Sequence, residues 1–186
     1  MSLGTGIGGA YVILGTESKD ILIIPSELGH MVIEKNGRPC HCGKNGCFET
    51  YCSMRAFKKG IIELLNLNEE TTSEELLTIL KNQSENETLN NYIDNYIDTL
   101  TLGISNIVNI FKPEKICIGG SFTYFEGVLY KRLVEKAKNY KYQFEVPQIV
   151  LAKFQNDAGI IGAVLDWKIL QELLKCSSYR FTIDMS

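Results

Sequence analysis

Short apolar runs near the beginning of the chain have the length and composition of β-strands. Residues 11–14, 21–24 and 31–33 are rich in β-branched and other apolar side chains, which favour strands. Residues 15–20 lie between the first two runs and include glycine, serine and aspartate, so we expect these runs to form a hairpin. The third run directly follows His30.

The middle of the chain changes to helical periodicity. Apolar residues recur three and four positions apart through three segments, and Ser53 can cap the first of them. Residues 72–75 and 84–87 open the other two segments. Both have a hydroxyl residue followed three positions later by a glutamate, which is the capping-box pattern. Pro113 is expected to end the last and longest helix.

The last third of the chain alternates strands and helices. Residues 115–121 form an apolar run that closes on Gly119 and Gly120, and a helix, a strand at 148–152 and a final helix from Asp157 follow. This order gives parallel neighbouring strands, and ligands bind at the carboxyl ends of such strands. The pattern therefore predicts one mixed α/β domain.

Length and composition are those of a globular domain with one core. The chain has 186 residues, of which 45% are hydrophobic and 22% are charged. The formal net charge of −3 and the absence of a basic run argue against nucleic acid as a partner. No apolar stretch is long enough for a leader or a membrane span, so the sequence predicts a cytoplasmic protein.

The two ends of the chain are interpreted as lying outside the domain proper. Residues 1–3 run directly into glycines with no room for a preceding strand, which predicts a vector remnant on a domain cut from a longer protein. Residues 176–186 form a tail of uncertain structure, within which 179–183 have the composition of a strand. The domain is expected to cover residues 4–175.

Both histidines and three of the six cysteines lie in one short segment. His30 precedes Cys40 by ten positions, and Cys40, Cys42 and Cys47 follow one another as C-x-C-x4-C through a loop that contains glycines. One imidazole and three thiolates suit a closed, tetrahedral zinc ion with a structural role, because soft sulfur ligands leave no position for water. His41, between two of these ligands, is expected to point away from the cluster.

Metal is not the only use of clustered cysteines. The alternative is a set of ordinary thiols or a disulfide, which a reducing compartment disfavours. Cys52, Cys117 and Cys176 lie outside the cluster, and we expect them to be small buried residues.

A second candidate site is the glycine run Gly4-Thr5-Gly6-Ile7-Gly8-Gly9. Closely spaced glycines before a strand let backbone amides approach a phosphate without obstruction by side chains. The run does not match the P-loop pattern, and it lacks the strand-turn-helix context of a dinucleotide site. On its own it is equally compatible with a glycine turn in a hairpin.

Taken together, these motifs resemble the carboxyl-terminal half of the ROK family (repressors, open reading frames and sugar kinases), and its glucokinase-like members in particular. The resemblance rests on four motifs in the family's order: residues 4–9, residues 27–30 with the cysteine loop through Glu49, residues 115–120 and residues 158–163. It implies an actin-like (ribonuclease H-like) ATPase fold with a mixed sheet, flanking helices and a zinc-binding loop. Sugar and ATP would bind in a cleft between two domains.

The resemblance also assigns individual residues. Glu27, His30 and Glu49 are similar to the groups that bind sugar hydroxyls, which suits carboxylates that accept hydrogen bonds and a zinc-bound imidazole that donates one. The residues implied for ATP, which would carry magnesium, are Gly4, Thr5, Gly6, Gly8, Gly9, Gly119 and Gly120. Without the resemblance, the two glutamates are more simply solvated loop acids.

The sequence departs from the family pattern in two places. The aspartate that acts as general base in these kinases belongs to their amino-terminal half, and no residue here takes that position. Residues 19–26 replace the glycine-rich approach that usually precedes the Glu-x-Gly-His motif, which puts the identity of the sugar in doubt. This chain alone is therefore not expected to phosphorylate sugar.

Three functions are compatible with these residues. The first is an ATP-dependent kinase of a hexose or N-acetylhexosamine, which the resemblance implies would form a homodimer. The second is a sugar-responsive transcriptional repressor of the same family, and the full glycine run favours the kinase because a repressor has less need of a phosphate loop. The third is a zinc-stabilised interaction domain without a small-molecule ligand.

Overall fold

The structure is a computed structural model, and it describes residues 1–14, 21–140 and 145–153. The strands predicted at 11–14 and 21–24 fall within these ranges, but the connection between them does not. The final helix predicted from Asp157, the motif at 158–163, Cys176 and the tail strand at 179–183 also lie outside the described residues.

The first sheet has three antiparallel strands in the order β1 (Ser2–Leu3), β2 (Ile7–Leu14) and β3 (Ile21–Ser26). Tyr11 pairs with Ile24 in the register of β2 and β3, so the predicted hairpin is confirmed. However, β2 begins at Ile7, four residues earlier than expected. Gly8 and Gly9 therefore lie inside a strand, and only the first part of the glycine run forms a turn.

Residues 1–3 belong to the folded sheet. Leu3 is completely buried, and its N–H donates to the carbonyl oxygen of Gly119 at 2.9 Å. The N–H of Gly119 donates in turn to the carbonyl oxygen of Met1 at 3.0 Å, and Ser2 forms an isolated parallel bridge with Gly119. The expectation that no strand precedes the glycines was wrong, because two residues are enough to fill the space between the hairpin and the second sheet.

The second sheet contains β4 (Lys115–Ile118) and β5 (Gln148–Leu151). The two strands are parallel, as predicted, with Ile116 opposite Ile149. A 3₁₀ turn (Ser121–Phe125) and helix α5 (Glu126–Asn139) connect them on the described part of the path. The glycine pair that closes β4 thus lies at the carboxyl end of a parallel strand.

The helical segments follow the apolar periodicity closely. Besides α5, the described helices are α1 (Glu49–Cys52), α2 (Met54–Leu65), α3 (Ser73–Asn82) and α4 (Glu87–Phe111). Ser53 caps α2 by accepting the N–H of Ala56 at 3.2 Å. Thr72 and Glu75 form the predicted capping box, in which each side chain accepts the backbone N–H of the other. None of the described helices is long and apolar enough to cross a membrane.

The long helix α4 begins later than the capping-box pattern predicted. Asn86, not Ser84, is its N-cap, and the Asn86 side chain accepts the N–H of Leu89 at 3.1 Å. The box at 84–87 was therefore wrong, because Asn86 lies closer to the apolar stripe and its side chain caps the helix two residues later. At the other end Lys112 takes a left-handed conformation (φ 46°), so the chain leaves the helix just before Pro113 as predicted.

The third predicted strand, 31–33, does not form. Leu28–His30 is a single 3₁₀ turn, and Val32 makes only an isolated bridge with Cys47. The N–H groups of Ile33 and Glu34 both donate to the carbonyl oxygen of Gly46, so this segment pairs with one point of the cysteine loop and then turns away.

Candidate metal and ligand site

The four predicted metal ligands converge. The Nδ1 atom of His30 lies 3.5 Å from the Sγ atom of Cys40, and the Sγ atoms of Cys42 and Cys47 are 3.5 Å apart. One donor atom from each of the four residues lies within 4.8 Å of every other. Ligands that bind one zinc ion tetrahedrally at about 2.3 Å are separated by about 3.8 Å, so this cluster has the right dimensions for the ion. The described cysteines form no disulfide.

Two glycines with positive φ bring the sulfur atoms together. Gly43 (φ 86°) donates its N–H to the carbonyl of Cys40 at 3.0 Å and closes the first turn. Gly46 (φ 79°) lies so close to Glu34 that a Cβ atom would overlap the Glu34 carbonyl oxygen. The two glycines differ in the space around them, since a Cβ atom on Gly43 would meet open space. Gly46 is therefore required by both backbone conformation and packing.

The cysteine loop is anchored to the core by the residue that follows it. Phe48 is completely buried, and its ring covers Gly103 of α4 so closely that a Cβ atom on the glycine would overlap the ring. The Phe48 N–H donates to the carbonyl of Met31 at 2.8 Å. Cys47, also fully buried, is held between these contacts and the His30 segment.

The thiols of the cluster have different acidities. Burial raises the pKa of Cys47 to about 12. The exposed Cys42 has a lowered pKa, mainly because the backbone of Lys44 provides a hydrogen bond. As a free thiol, Cys47 therefore keeps its proton at neutral pH, and a bound cation would have to displace it.

The two ring nitrogens of His30 face different groups. Nδ1 faces the thiol of Cys40, whereas Nε2 lies 3.9 Å from Oε2 of Glu27, a side chain that is 89% exposed. If Nδ1 binds a metal, Nε2 carries the proton and points toward Glu27 and open solvent. The imidazole can therefore bind a metal with one nitrogen and donate to a ligand with the other.

Glu49, the first residue of α1, lies against the glycine run. Its Oε2 atom accepts the N–H of Ile7 at 2.8 Å. Gly6 lies directly beneath this carboxylate, so that a Cβ atom there would overlap Oε2. Glu49 is only 17% exposed and is not a solvated loop acid. Sequence reasoning assigned Gly6 and Glu49 to different ligands, but the structure brings them into contact.

His41 lies next to Glu49. Its Nδ1 atom is 3.4 Å from Oε1 of Glu49 and 3.9 Å from the Sγ atom of Cys40. Its ring packs edge-on against His30, with the ring centroids 5.1 Å apart. The prediction that His41 points away from the cluster was wrong, because the turn at Gly43 folds the loop back toward α1.

Two of the residues implied for a nucleotide, Gly4 and Thr5, line a cleft of about 740 Å³, whereas Gly6, Gly8, Gly9, Gly119 and Gly120 are not among its lining residues. Gly4 and Thr5 line one side together with Ser121, which follows Gly120 (φ 81°) at the end of β4. The opposite wall is α2, which contributes three cationic side chains: Arg55, Lys58 and Lys59. Lys58 donates to Ser73 at 3.1 Å, and Lys59 lies 3.7 Å from Glu63.

The cationic wall formed by α2 was not predicted from the sequence. Arg55, Lys58 and Lys59 are spaced three and four positions apart, which places them on one face of α2. That spacing was visible in the sequence, but the nearness of α2 to the glycine run depends on contacts between distant residues. The carbonyl oxygen of Gly4, for example, accepts the N–H of Met54 at 2.8 Å.

Comparison with known proteins gives one matching family model, the ROK family, over residues 1–169. A glucokinase from Thermotoga maritima is 30% identical over 88% of this chain and 55% of its own length. An N-acetylmannosamine kinase from Haemophilus influenzae is 31% identical over 88% of this chain and 52% of its own length. A xylose repressor from Caldicellulosiruptor bescii is 24% identical over 96% and 47%. The chain thus spans about half the length of these relatives.

Two solved structures have the same fold. A ROK hexokinase from Thermus thermophilus superposes with a TM-score of 0.67 and 24% identity, over 88% of this chain and 54% of that one. A ROK family glucokinase from Streptomyces griseus, in complex with glucose and AMPPNP, gives a TM-score of 0.66 and 19% identity over 87% and 57%. The actin-like ATPase fold predicted from the sequence is confirmed.

Proposed function

This chain belongs to the ROK family, and from that membership we propose that it is the carboxyl-terminal, ligand-binding half of an ATP-dependent hexose kinase of the glucokinase type. Its relatives include a glucokinase and an N-acetylmannosamine kinase, which support a hexose or an N-acetylhexosamine as the acceptor. We assign no catalytic base to this chain, since the resemblance assigns the aspartate to the other half of such kinases. Alone, the chain binds ligands without transferring phosphate.

One observation supports the proposal: His30 lies close to Glu27 and, within 4.8 Å, to Glu49. The Nε2 atom of His30 lies 3.9 Å from Glu27, and Glu49 is linked to the same loop through His41. Two carboxylates accept hydroxyl protons and an imidazole N–H donates to a hydroxyl oxygen, which is the chemistry that recognises a sugar. In this proposal these three residues bind the sugar.

His30, Cys40, Cys42 and Cys47 would hold zinc. A zinc ion held there would supply no chemistry to phosphoryl transfer, because three thiolates and an imidazole would leave no open position on it. What the residues themselves would do is fix the 18 residues between His30 and Glu49, two positions proposed to bind sugar, and hold the ring of His30 through its Nδ1 atom.

The nucleotide would occupy the cleft between the glycine run and α2. The resemblance assigns Gly4, Thr5, Gly6, Gly8 and Gly9 to the phosphates and Gly119 and Gly120 to the adenosine side, and of these Gly4 and Thr5 line the cleft. Arg55 and Lys58 add positive charge to the opposite wall. In phosphoryl transfer most of the catalysis comes from positioning and from stabilising charge, so a magnesium ion with these groups would complete this half of the site.

The proposal also covers the cellular location of the protein and its oligomeric state. We place the protein in the cytoplasm, in keeping with free thiols on every described cysteine. We also propose a homodimer, which the resemblance implies. Sedimentation of the zinc-loaded chain at several concentrations tests the second point.

Binding measurements test the proposed function directly. The zinc-loaded chain should bind D-glucose or N-acetylmannosamine and, separately, ATP with magnesium by calorimetry. Glu49→Gln should weaken sugar binding about tenfold or more, because it removes a charged acceptor, and should leave zinc in place. Glu27→Gln should also weaken sugar binding. A wild-type chain that binds neither sugar nor nucleotide would contradict the proposal.

A second candidate function is supported by the match to a xylose repressor over 96% of this chain. In a sugar-responsive repressor the chain would be the effector domain, and it would bind sugar without needing a nucleotide. ATP titration separates the two candidates. Nucleotide binding that disappears in Gly8→Val supports the kinase, whereas sugar binding with no ATP binding supports the repressor.

A further inference from the structure

We propose that His41 is a positioning residue for the sugar site, which fixes the carboxylate of Glu49 in the orientation that accepts a sugar hydroxyl. This inference rests on the proposed function, because it assumes that Glu49 binds sugar. It extends that function to a residue of the cysteine loop, between Cys40 and Cys42, to which the resemblance assigns no role.

The first step is the geometry of Glu49. Its carboxylate has two oxygens, and the N–H of Ile7 holds Oε2 at 2.8 Å. A carboxylate held by one oxygen can still turn about its last bond, so Oε1 would sample several directions. His41 restricts this freedom, since its Nδ1 atom lies 3.4 Å from Oε1, the oxygen that Ile7 does not hold.

The second step is the way in which His41 itself is held. Its ring packs edge-on against His30 at a centroid distance of 5.1 Å, and Nδ1 is 3.9 Å from the Sγ atom of Cys40. The His41 side chain is otherwise 73% exposed, so it contributes little to the core. Its position depends on the cysteine loop, and through that loop the metal cluster is connected to the carboxylate.

A fixed Glu49 carboxylate would make the site selective for the direction from which a sugar hydroxyl approaches. Oε2 accepts a backbone N–H, Oε1 faces the His41 imidazole, and the carboxylate lies within 4.8 Å of a ring nitrogen of His30, so we infer that the remaining lone pairs of Glu49 keep one direction. A hydroxyl must approach from that direction to be bound by both groups. Pre-organisation of this kind improves affinity mainly because fewer orientations are lost on binding.

The test compares His41→Ala with His41→Asn in the full 186-residue chain loaded with zinc. An asparagine side chain places an amide nitrogen where Nδ1 of histidine lies, so it can restore the contact with Oε1. Asn45→Ala, an exposed residue of the same loop, is the matched control. D-glucose and N-acetylmannosamine are the probes, and calorimetry at one fixed pH is the measurement.

We expect His41→Ala to raise the Kd of the sugar about fivefold, the effect of one exposed charge-assisted contact. His41→Asn should bring the Kd back to within about twofold of wild type, and Asn45→Ala should not change it. The affinity for ATP with magnesium and the zinc content should stay the same in all three variants. Hydrogen exchange of the Ile7 amide should be faster in His41→Ala, because Glu49 is then held less firmly.

Several results would overturn the inference. Wild-type sugar affinity in His41→Ala would show that Glu49 needs no second contact. Loss of zinc in His41→Ala would show that His41 acts through the metal loop and not on the carboxylate. If wild type bound no sugar at all, the proposed function would fail, and unchanged exchange of the Ile7 amide in His41→Ala would then reject the positioning role separately.

Discussion

The carboxylate of Glu49 and the backbone N–H of Ile7 form a 2.8 Å hydrogen bond between residues that are 42 positions apart. This bond joins the start of α1 to the glycine run, and it lies directly over Gly6. The group proposed for the sugar and the segment proposed for the phosphates therefore share one contact.

Gly6→Ala tests that contact. The new Cβ atom would overlap Oε2 of Glu49, the mobile end of a side chain, so the fold should survive while the carboxylate is displaced. We expect weaker binding of sugar and of nucleotide together. Gly8→Ala is the matched control, because a Cβ atom there meets nothing within 4 Å.

Gly8→Ala distinguishes an effect on sugar binding from an effect on nucleotide binding. Gly8→Ala should leave sugar affinity and thermal stability unchanged and should lower only the affinity for ATP, whose phosphates would approach the strand at this position. Calorimetric titration of both ligands into both variants checks this. Equal sugar binding in Gly6→Ala and Gly8→Ala would mean that Glu49 does not depend on the glycine run.

Much of this arrangement was predictable from local signals. The apolar periodicity located α2, α3 and α4, and cap residues such as Ser53 and Thr72 act through neighbours within four positions. The clustering of His30 with Cys40, Cys42 and Cys47 was equally predictable, because the spacing that suits a metal site brings these four side chains together. Each of these features depends on residues that are close in sequence.

Features that depend on distant residues were missed. Residues 31–33 have the composition of a strand, but they form a single bridge, between Val32 and Cys47, and the pairing stops there. Residues 1–3 looked dispensable, yet the backbone of Gly119 pairs with them. The orientation of His41 likewise follows from the turn at Gly43, which no periodic pattern encodes.

Removal of the metal should unfold the loop that presents His30. Cys42→Ser replaces an exposed ligand, so loss of packing is small and loss of zinc is the main effect. We expect lower zinc content, a lower Tm and weaker sugar binding together. Cys117→Ser, in β4 and outside the cluster, is the control and should keep its zinc. Metal analysis and thermal unfolding make the comparison, and an unchanged Tm in Cys42→Ser would rule out a structural ion.

The two loop glycines should differ in their tolerance of alanine. Gly43→Ala introduces strain from a positive φ but no clash, which costs about 1–2 kcal/mol. Gly46→Ala has the same backbone strain and also forces a Cβ atom into the Glu34 carbonyl oxygen, which is backbone and cannot move aside easily. We expect Gly43→Ala to keep zinc with a lower Tm and Gly46→Ala to lose it. Equal zinc content in the two variants would contradict this account of the loop.

Tyr96 should make the domain sensitive to alkaline pH. Its hydroxyl donates to the carbonyl of Cys52 at 2.9 Å inside the core, and burial raises the pKa of Tyr96 well above its usual value near 10. Burial also raises the pKa of the Cys52 thiol. For an acid whose pKa is raised by folding, the stabilising effect is complete below the pKa of the unfolded chain and is lost as the pH rises toward the folded value.

Tyr96→Phe separates the contribution of the Tyr96 phenol to alkaline sensitivity from that of the Cys52 thiol. At pH 7.5 the variant should lose about 1 kcal/mol of unfolding free energy, because the Cys52 carbonyl loses its donor. As the pH rises to about 10.5, wild type should lose stability faster than the variant, so that the difference between them narrows. Urea unfolding at both pH values checks this, with Tyr124→Phe, an exposed tyrosine, as the control for removal of a phenol. A difference that stayed constant or widened at the higher pH would show that Tyr96 ionises as readily in the folded chain as in the unfolded one.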